Sequence, residues 1–170
     1  MPLCAGLAVA AARAETSQVT PAGFVSQFRE EVSVAPDVVW KTIVQLPRWW
    51  SGRHSYSGEA RNLSLDVQAG GCFCERWGDG HSVQHATVLM VQNGRVLRMA
   101  GAFGPLQEMA VIGVLTIVTS AQDGKNFLRM TYRVVGHADS GLDKVATVVD
   151  QVLGEQFRRL KTMAETGKPD

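Results

Sequence analysis

The feature that most constrains this chain of 170 residues is its ending. From Leu142 to Glu165 runs one long amphipathic segment whose apolar residues Leu142, Val145, Val149, Val152, Leu153, Leu160 and Met163 fall on a single helical stripe. The preceding half of the chain reads quite differently. Six segments in succession favour strands: "NLSLDV", "CFCERW", "HSVQHATVLMVQ", "RVLRMAGAF", "VIGVLTIVTSA" and "NFLRMTYRVVGH". Short turn-forming stretches such as "QAGG", "GDG", "NG" and "QDGK" separate them. A sheet with one apolar face must be covered, and the chain offers one long helix to cover it. The sheet is expected to curl around that helix and to leave space between the two toward one end.

The upstream residues complete this picture. "FVSQFREEVSV" alternates through Phe28, Val32 and Val34 and adds a first strand. "APDVVWKTIVQLPRWW" then reads as two short helices: Asp37 suits the start of the first, Pro47 ends it, and the second carries Trp49 and Trp50. The expected class is α+β, with a curved antiparallel sheet of about seven strands, two short helices after the first strand and the long C-terminal helix. One domain over residues 24–168 accommodates all of it. With 45% hydrophobic and 19% charged residues, the chain has the composition of a globular protein with a real core. A net charge of +1 without any Lys/Arg run gives no electrostatic reason to bind nucleic acid. Beyond the extreme N-terminus, no apolar stretch is long enough to span a bilayer as a helix.

The N-terminus stands apart. "MPLCAGLAVAAARAET" is an apolar run closed by Ala12-Arg13-Ala14, and it resembles a secretory signal peptide over residues 1–14, cleaved before Glu15. It lacks the Lys or Arg that usually precedes such a run, so a cytoplasmic protein with an N-terminal extension is the alternative to a periplasmic or secreted one. Residues 15–23 are expected to form a flexible segment ahead of the domain.

The stretch "DVQAGGCFCERWGDGH" invites a metal-site reading, which the spacing argues against. Cys72 and Cys74 sit two apart on a strand, with Cα atoms about 6.7 Å from one another and side chains running parallel. That geometry suits neither a zinc knuckle nor a disulfide, so no metal and no disulfide are expected. His81 and His85 lie four apart on a strand, about 13 Å at strand rise, too far to share a metal.

"VSVAPDVVW" leading through a helix to "RWW", then "LDVQAGGCF" ahead of "WGDG", followed by "GRVLRMAGAFGPL", "FLRMTYRVVGH" and "VVDQVLGEQFRRLK", resembles the START-like, polyketide cyclase/dehydrase (SRPBCC) superfamily with its helix-grip fold. Within it the chain is most similar to the branch homologous to the heat-shock chaperone ATPase activator. The resemblance runs from Phe24 to about Lys168 and implies a hydrophobic ligand pocket between the long helix and the sheet. It implies no single activity, because members transport lipids, cyclise polyketides, bind hormones or act as co-chaperones. It carries no universal catalytic residue onto this chain.

Strand alternation indicates which side chains enter such a pocket. Phe73, Glu75 and Trp77 share one face; Leu97, Met99, Gly101 and Phe103 share another, as do Leu128, Met130, Tyr132 and Val134. The expected ligand-binding set is Trp49, Trp50, Phe73, Glu75, Trp77, Met99, Phe103, Met130, Tyr132 and Val149, with Trp49 and Trp50 at the rim. A carboxylate among aromatics would have a raised pKa, which makes Glu75 a candidate general acid or base beside Tyr132 or His85. Glu30, in phase with Phe28 and Val32, is a further carboxylate candidate. His85 shares its face with Val83, Thr87 and Leu89, while His54 reads as a solvated loop residue. Arg158, Arg159 and Lys161 most simply complement the helix dipole. No phosphate loop, cofactor fingerprint or nucleophile motif occurs, and no cofactor is expected. Two function classes follow. One is a module that binds a small hydrophobic or amphipathic molecule (a lipid, polyketide or aromatic metabolite). The other is a cyclase/dehydratase- or hydrolase-type enzyme using Glu75 with Tyr132 or His85.

Overall fold

The strand-forming segments assemble as their alternation requires, into one sheet with a single buried face. The structure, a computed structural model, describes residues 15–169, so the leader reading of residues 1–14 lies outside it. Among the described residues, eight strands form one antiparallel sheet in the order β1-β2-β8-β7-β6-β5-β4-β3. These are β1 (Glu15–Thr20), β2 (Gly23–Val32), β3 (Leu63–Leu65), β4 (Cys72–Trp77), β5 (His81–Gln92), β6 (Val96–Ala100), β7 (Ile112–Gln122) and β8 (Lys125–Val135). The short helices α1 (Pro36–Ile43) and α2 (Leu46–Trp49) follow β2, and α3 (Leu142–Thr166) closes the chain. The α+β class, the two short helices and the long C-terminal helix match expectation. The segment 15–23, expected to be flexible, is instead largely strand: β1 pairs with β2 through Glu15, Thr16, Ser17 and Thr20 and raises the count from seven to eight.

On β6 and β8 the alternation holds without interruption. Leu97 and Met99, and Leu128, Met130, Tyr132 and Val134, are all fully buried on the inner face. α3 lies across that face. Gly154 lets it approach β2 closely, because a Cβ there would sit 3.3 Å from the Phe28 ring. One turn on, Phe157 stacks on Phe28 with centroids 5.5 Å apart. Burial of such large side chains contributes about 1.5–3 kcal/mol each. The C-terminal half of α3 is also tied by polar contacts: Arg159 Nε donates to the Trp49 carbonyl at 2.9 Å, and Lys161 pairs with Glu30 on β2. Arg159 and Lys161 therefore hold neighbouring elements; the last turn of α3 carries no basic residue, so the expected complement to its dipole is not supplied by Arg158, Arg159 or Lys161.

Two bulges break the regularity of β5. Its pairing with β4 shifts between Phe73 and Cys74, and its pairing with β6 shifts between Val88 and Met90. At the first, Phe73 opposes Ala86 and Cys74 opposes Gln84, so His85 is the extra residue. Such a bulge bends the strand and re-aims a side chain. Here it turns both His85 and Ala86 inward. The expected face of Val83, His85, Thr87 and Leu89 is thus cut after His85: Ala86 and Val88 continue the inner face, and Leu89 is half exposed.

The expectation about the cysteines on β4 is corrected too. Cys72 and Cys74 form a disulfide, with Cα atoms 5.3 Å apart rather than the separation of an uninterrupted strand. That spacing falls within the ordinary disulfide range of about 4.4–6.8 Å. β4 is contracted between the two cysteines relative to a regular strand.

Candidate functional site

Between the N-terminal half of α3 and the β4–β6 side of the sheet lies a cavity of about 510 Å³. Its helical wall is Val145, Val148, Val149, Val152 and Leu153, four of them β-branched side chains that cover the surface with little rotamer freedom. Across from it stand Trp50, Phe103, Leu106 and Met109. The polar groups come from the 53–56 loop, from His85 and from Glu108. The size and the apolar lining with few polar groups are those of small-molecule sites, about 300–1,000 Å³.

Two carboxylates position the polar side. Glu75, fully buried on β4, accepts hydrogen bonds from the backbone N–H groups of Tyr56 (3.0 Å) and Ser57 (2.6 Å). The same carboxylate meets His85 Nε2 at 2.9 Å. Burial pushes the Glu75 pKa up, but the hydrogen bonds from Ser57, Tyr56 and His85 outweigh it and hold the carboxyl below its usual value. The expected raised pKa is therefore reversed, because burial here comes with a full set of donors. For His85, burial lowers the pKa and wins over the attraction of Glu75, so the imidazole is neutral at neutral pH.

Glu155 on α3 mirrors this arrangement from the opposite wall. Its carboxylate meets His54 Nε2 at 3.0 Å and Arg53 at 2.9 Å. Burial opposes ionisation, yet the donors at His54, Arg53 and Ser51 bring its pKa down to about 2. Gln156, fully buried beside it, accepts the backbone N–H of Ser51 at 2.8 Å. The 51–57 loop is thus pinned to α3 at one end and to the sheet at the other. Tyr56 extends it over the cavity, its hydroxyl donating to the Gly104 carbonyl at 3.1 Å.

Of the residues singled out from sequence, Trp50, Phe103, Val149 and His85 line the cavity. Glu75 and Phe73 stand directly behind it. Phe73 packs on His85 (4.8 Å), Trp50 (5.3 Å) and Phe103 (6.2 Å). Trp49, Met99 and Met130 are fully buried core residues and not part of the lining. Trp77 stacks on His81 at 5.5 Å, outside the cavity. Tyr132 is committed to structure: its hydroxyl donates to the Gly101 carbonyl at 2.9 Å and accepts from the Phe103 N–H at 3.3 Å. Burial raises its pKa well above the ordinary phenol value. Gly113 makes room for it, since a Cβ there would overlap the hydroxyl. Glu30 faces α3, where Lys161 holds it.

Sequence reading missed His54 as a wall residue and Glu155 as its partner. It also missed Tyr56, Leu106, Met109, Val145, Val148 and Val152 as lining. Val145 and Val152 were visible as part of the apolar stripe and Val148 was not, but nothing in periodicity separates a residue facing a cavity from one facing a core. The pairing of residue 54 with residue 155 joins a loop to a distant helix and leaves no local pattern.

No family model matches the sequence, and no curated protein matches it at a significant level. Solved structures do share its fold. CalU16 from Micromonospora echinospora superposes with a TM-score of 0.60 at 13% identity, covering 94% of this chain and 86% of that one. SA2116 from Staphylococcus aureus, a protein of unknown function, gives a TM-score of 0.60 at 13% identity over 85% of this chain and 95% of that one. DynU16, a protein in the dynemicin biosynthetic locus, gives 0.54 at 17% identity over 85% of this chain and 48% of that one. At these identities the likeness is one of fold: a helix-grip arrangement of a curved sheet and a long C-terminal helix.

Proposed function

We propose that the protein binds a small hydrophobic or amphipathic molecule in the cavity between the N-terminal half of α3 and the sheet. The observation that carries this reading is the cavity itself: about 510 Å³, walled by valines and aromatics, with its polar groups confined to the 53–56 loop, His85 and Glu108. A lipid, polyketide or aromatic metabolite fits that lining. The setting of DynU16 in a biosynthetic locus adds support for a small-molecule ligand. The resemblance to chaperone ATPase activators is one of sequence motifs only and adds no feature of this site. Native mass spectrometry of freshly purified protein tests the reading. A retained molecule of a few hundred daltons, lost in a Val149→Trp variant that fills the cavity, is the expected result. Absence of binding to any of a broad panel of apolar ligands would refute it.

A second reading, acid–base catalysis, draws on one observation: Glu75 and His85 are in contact at 2.9 Å and His85 borders the cavity. In that case His85 is the proton acceptor and Glu75 orients it, a division of labour common to carboxylate–histidine pairs. Tyr132 has no part in it, its hydroxyl being taken up by Gly101 and Phe103. Turnover lost in Glu75→Gln with ligand affinity retained would favour this reading over simple binding. Export to an oxidising compartment is also proposed, on the strength of the apolar leader and of the Cys72–Cys74 disulfide, a bond such compartments maintain. N-terminal sequencing of the protein from its native host should find Glu15 first, and retention of Met1 would contradict it.

A further inference from the structure

Resting on the binding reading above, we propose that His85 selects ligands carrying an aromatic hydroxyl, by accepting a hydrogen bond from a phenol at its Nδ1 atom. The first step is the tautomer. Ionised Glu75 can only accept, so the nitrogen it meets, Nε2, must carry a proton. In the neutral imidazole the remaining nitrogen, Nδ1, is then an acceptor with a free lone pair. Nδ1 has no hydrogen-bond partner among the described residues, and it is not one of the buried polar atoms shut away from solvent. His85 is nevertheless 5% exposed overall, and it borders the cavity. The lone pair is therefore available there and nowhere else.

The surroundings narrow the donor. The imidazole contacts the rings of Phe73, at 4.8 Å, and Tyr56, at 5.9 Å, and Trp50 and Phe103 complete the aromatic wall. Offset or tilted contacts with a flat aromatic ligand are favourable in such a setting. A phenol combines that flat body with a strong O–H donor. The carboxylate behind the ring strengthens the acceptor, as a charged partner does through a hydrogen-bonded chain. A site built to receive a hydroxyl rejects the analogue lacking it more sharply than an apolar pocket discriminates size. The bulge is what makes the arrangement possible, since it inserts His85 into the inner face beside Ala86.

Titration calorimetry with 2-naphthol and its methyl ether, 2-methoxynaphthalene, tests the proposal. The two probes carry the same ring system and no charge and differ at the hydroxyl, so their ratio reports its hydrogen bonds, and comparing wild type with His85→Phe separates His85 from Arg53, His54, Glu108, Glu155, Tyr56 and Glu75 around the site. At pH 7.5 the wild type should bind 2-naphthol at least tenfold more tightly. In His85→Phe the ratio should fall below threefold with the ether still bound. A measurement needing no variant repeats the test: in the wild type the ratio should shrink as pH falls and His85 gains a proton, because both ring nitrogens then donate. Equal affinities for the two probes at pH 7.5 would overturn the proposal and leave the binding reading standing. Failure of both probes to bind would count against the binding reading, and the proposal would fall with it.

Discussion

Along the C-terminal half of α3, Phe157, Leu160, Met163 and Ala164 are buried, and the helix packs on β2, α1 and α2. In the N-terminal half, Leu142 and Ala146 are equally buried, but Val145, Val149 and Val152 are only partly covered and Val148 is 60% exposed. One amphipathic stripe thus serves two purposes. What differs is the partner. The later turns face aromatic side chains from β2 and the Trp49 turn, which fill the space. The earlier turns face two loops, 51–57 and 103–109; the first is tied to α3 through Glu155 and to the sheet through Glu75, and Tyr56 joins it to the second at the Gly104 carbonyl. Apolar residues opposite a packed element become core, and the same residues opposite a braced loop become the wall of a site.

Truncating side chains in each half in turn should separate the two. Phe157→Ala should cost about 3–5 kcal/mol, the usual price of deleting a buried aromatic, because the Phe28 ring loses its stacking partner. Urea denaturation measures it, and a loss below about 1 kcal/mol would mean that this half is not tightly packed. Glu75→Gln should cost about 1–3 kcal/mol, since an amide oxygen cannot replace two carboxylate oxygens and a backbone N–H is left without an acceptor. Hydrogen exchange at Tyr56 and Ser57 should accelerate in that variant, while the last turns of α3 stay protected. Val149→Ala, on the hollow side, should change stability by under about 1 kcal/mol, because its side chain already faces a void.

Acid should distinguish the same two regions. His85 is held below its usual value of 6.5, so its contribution is complete above that pH and is lost as pH falls toward its folded value. Glu75 and Glu155 are held below the usual carboxylate value, so theirs is present above that value and lost as pH falls through the folded one, about 2 for Glu155. The braced loop should therefore loosen before the packed half of α3. Amide exchange followed from pH 7 to pH 2 checks this, the loop amides losing protection first. Simultaneous loss at both ends would remove the distinction.

Much of this was legible in the sequence. The stripe from Leu142 onward and the unbroken alternation in β6 and β8 fix the class and the buried face, because those segments are regular and their period is directly visible. Edge strand β1 escaped notice because "ETSQVT" has little apolar content, its pairing being supplied by β2 rather than by its own side chains. The disulfide escaped because β4 contracts between Cys72 and Cys74, and the true face of β5 escaped for a separate reason. A single extra residue, His85, shifts the register, and no spacing rule applied to a straight strand contains it. Glu75 was found as an inward carboxylate but given the wrong titration, since its donors come from loop amides that burial and alternation do not reveal.

The most direct test of a ligand site along the hollow half of α3 is methyl NMR during titration with 2-naphthol. The methyl resonances of Val145, Val149 and Val152 should shift saturably, while those of Leu160 and Met163 at the packed end remain in place. Shifts confined to the packed end, or no saturable shift at any of the three valines, would contradict the account.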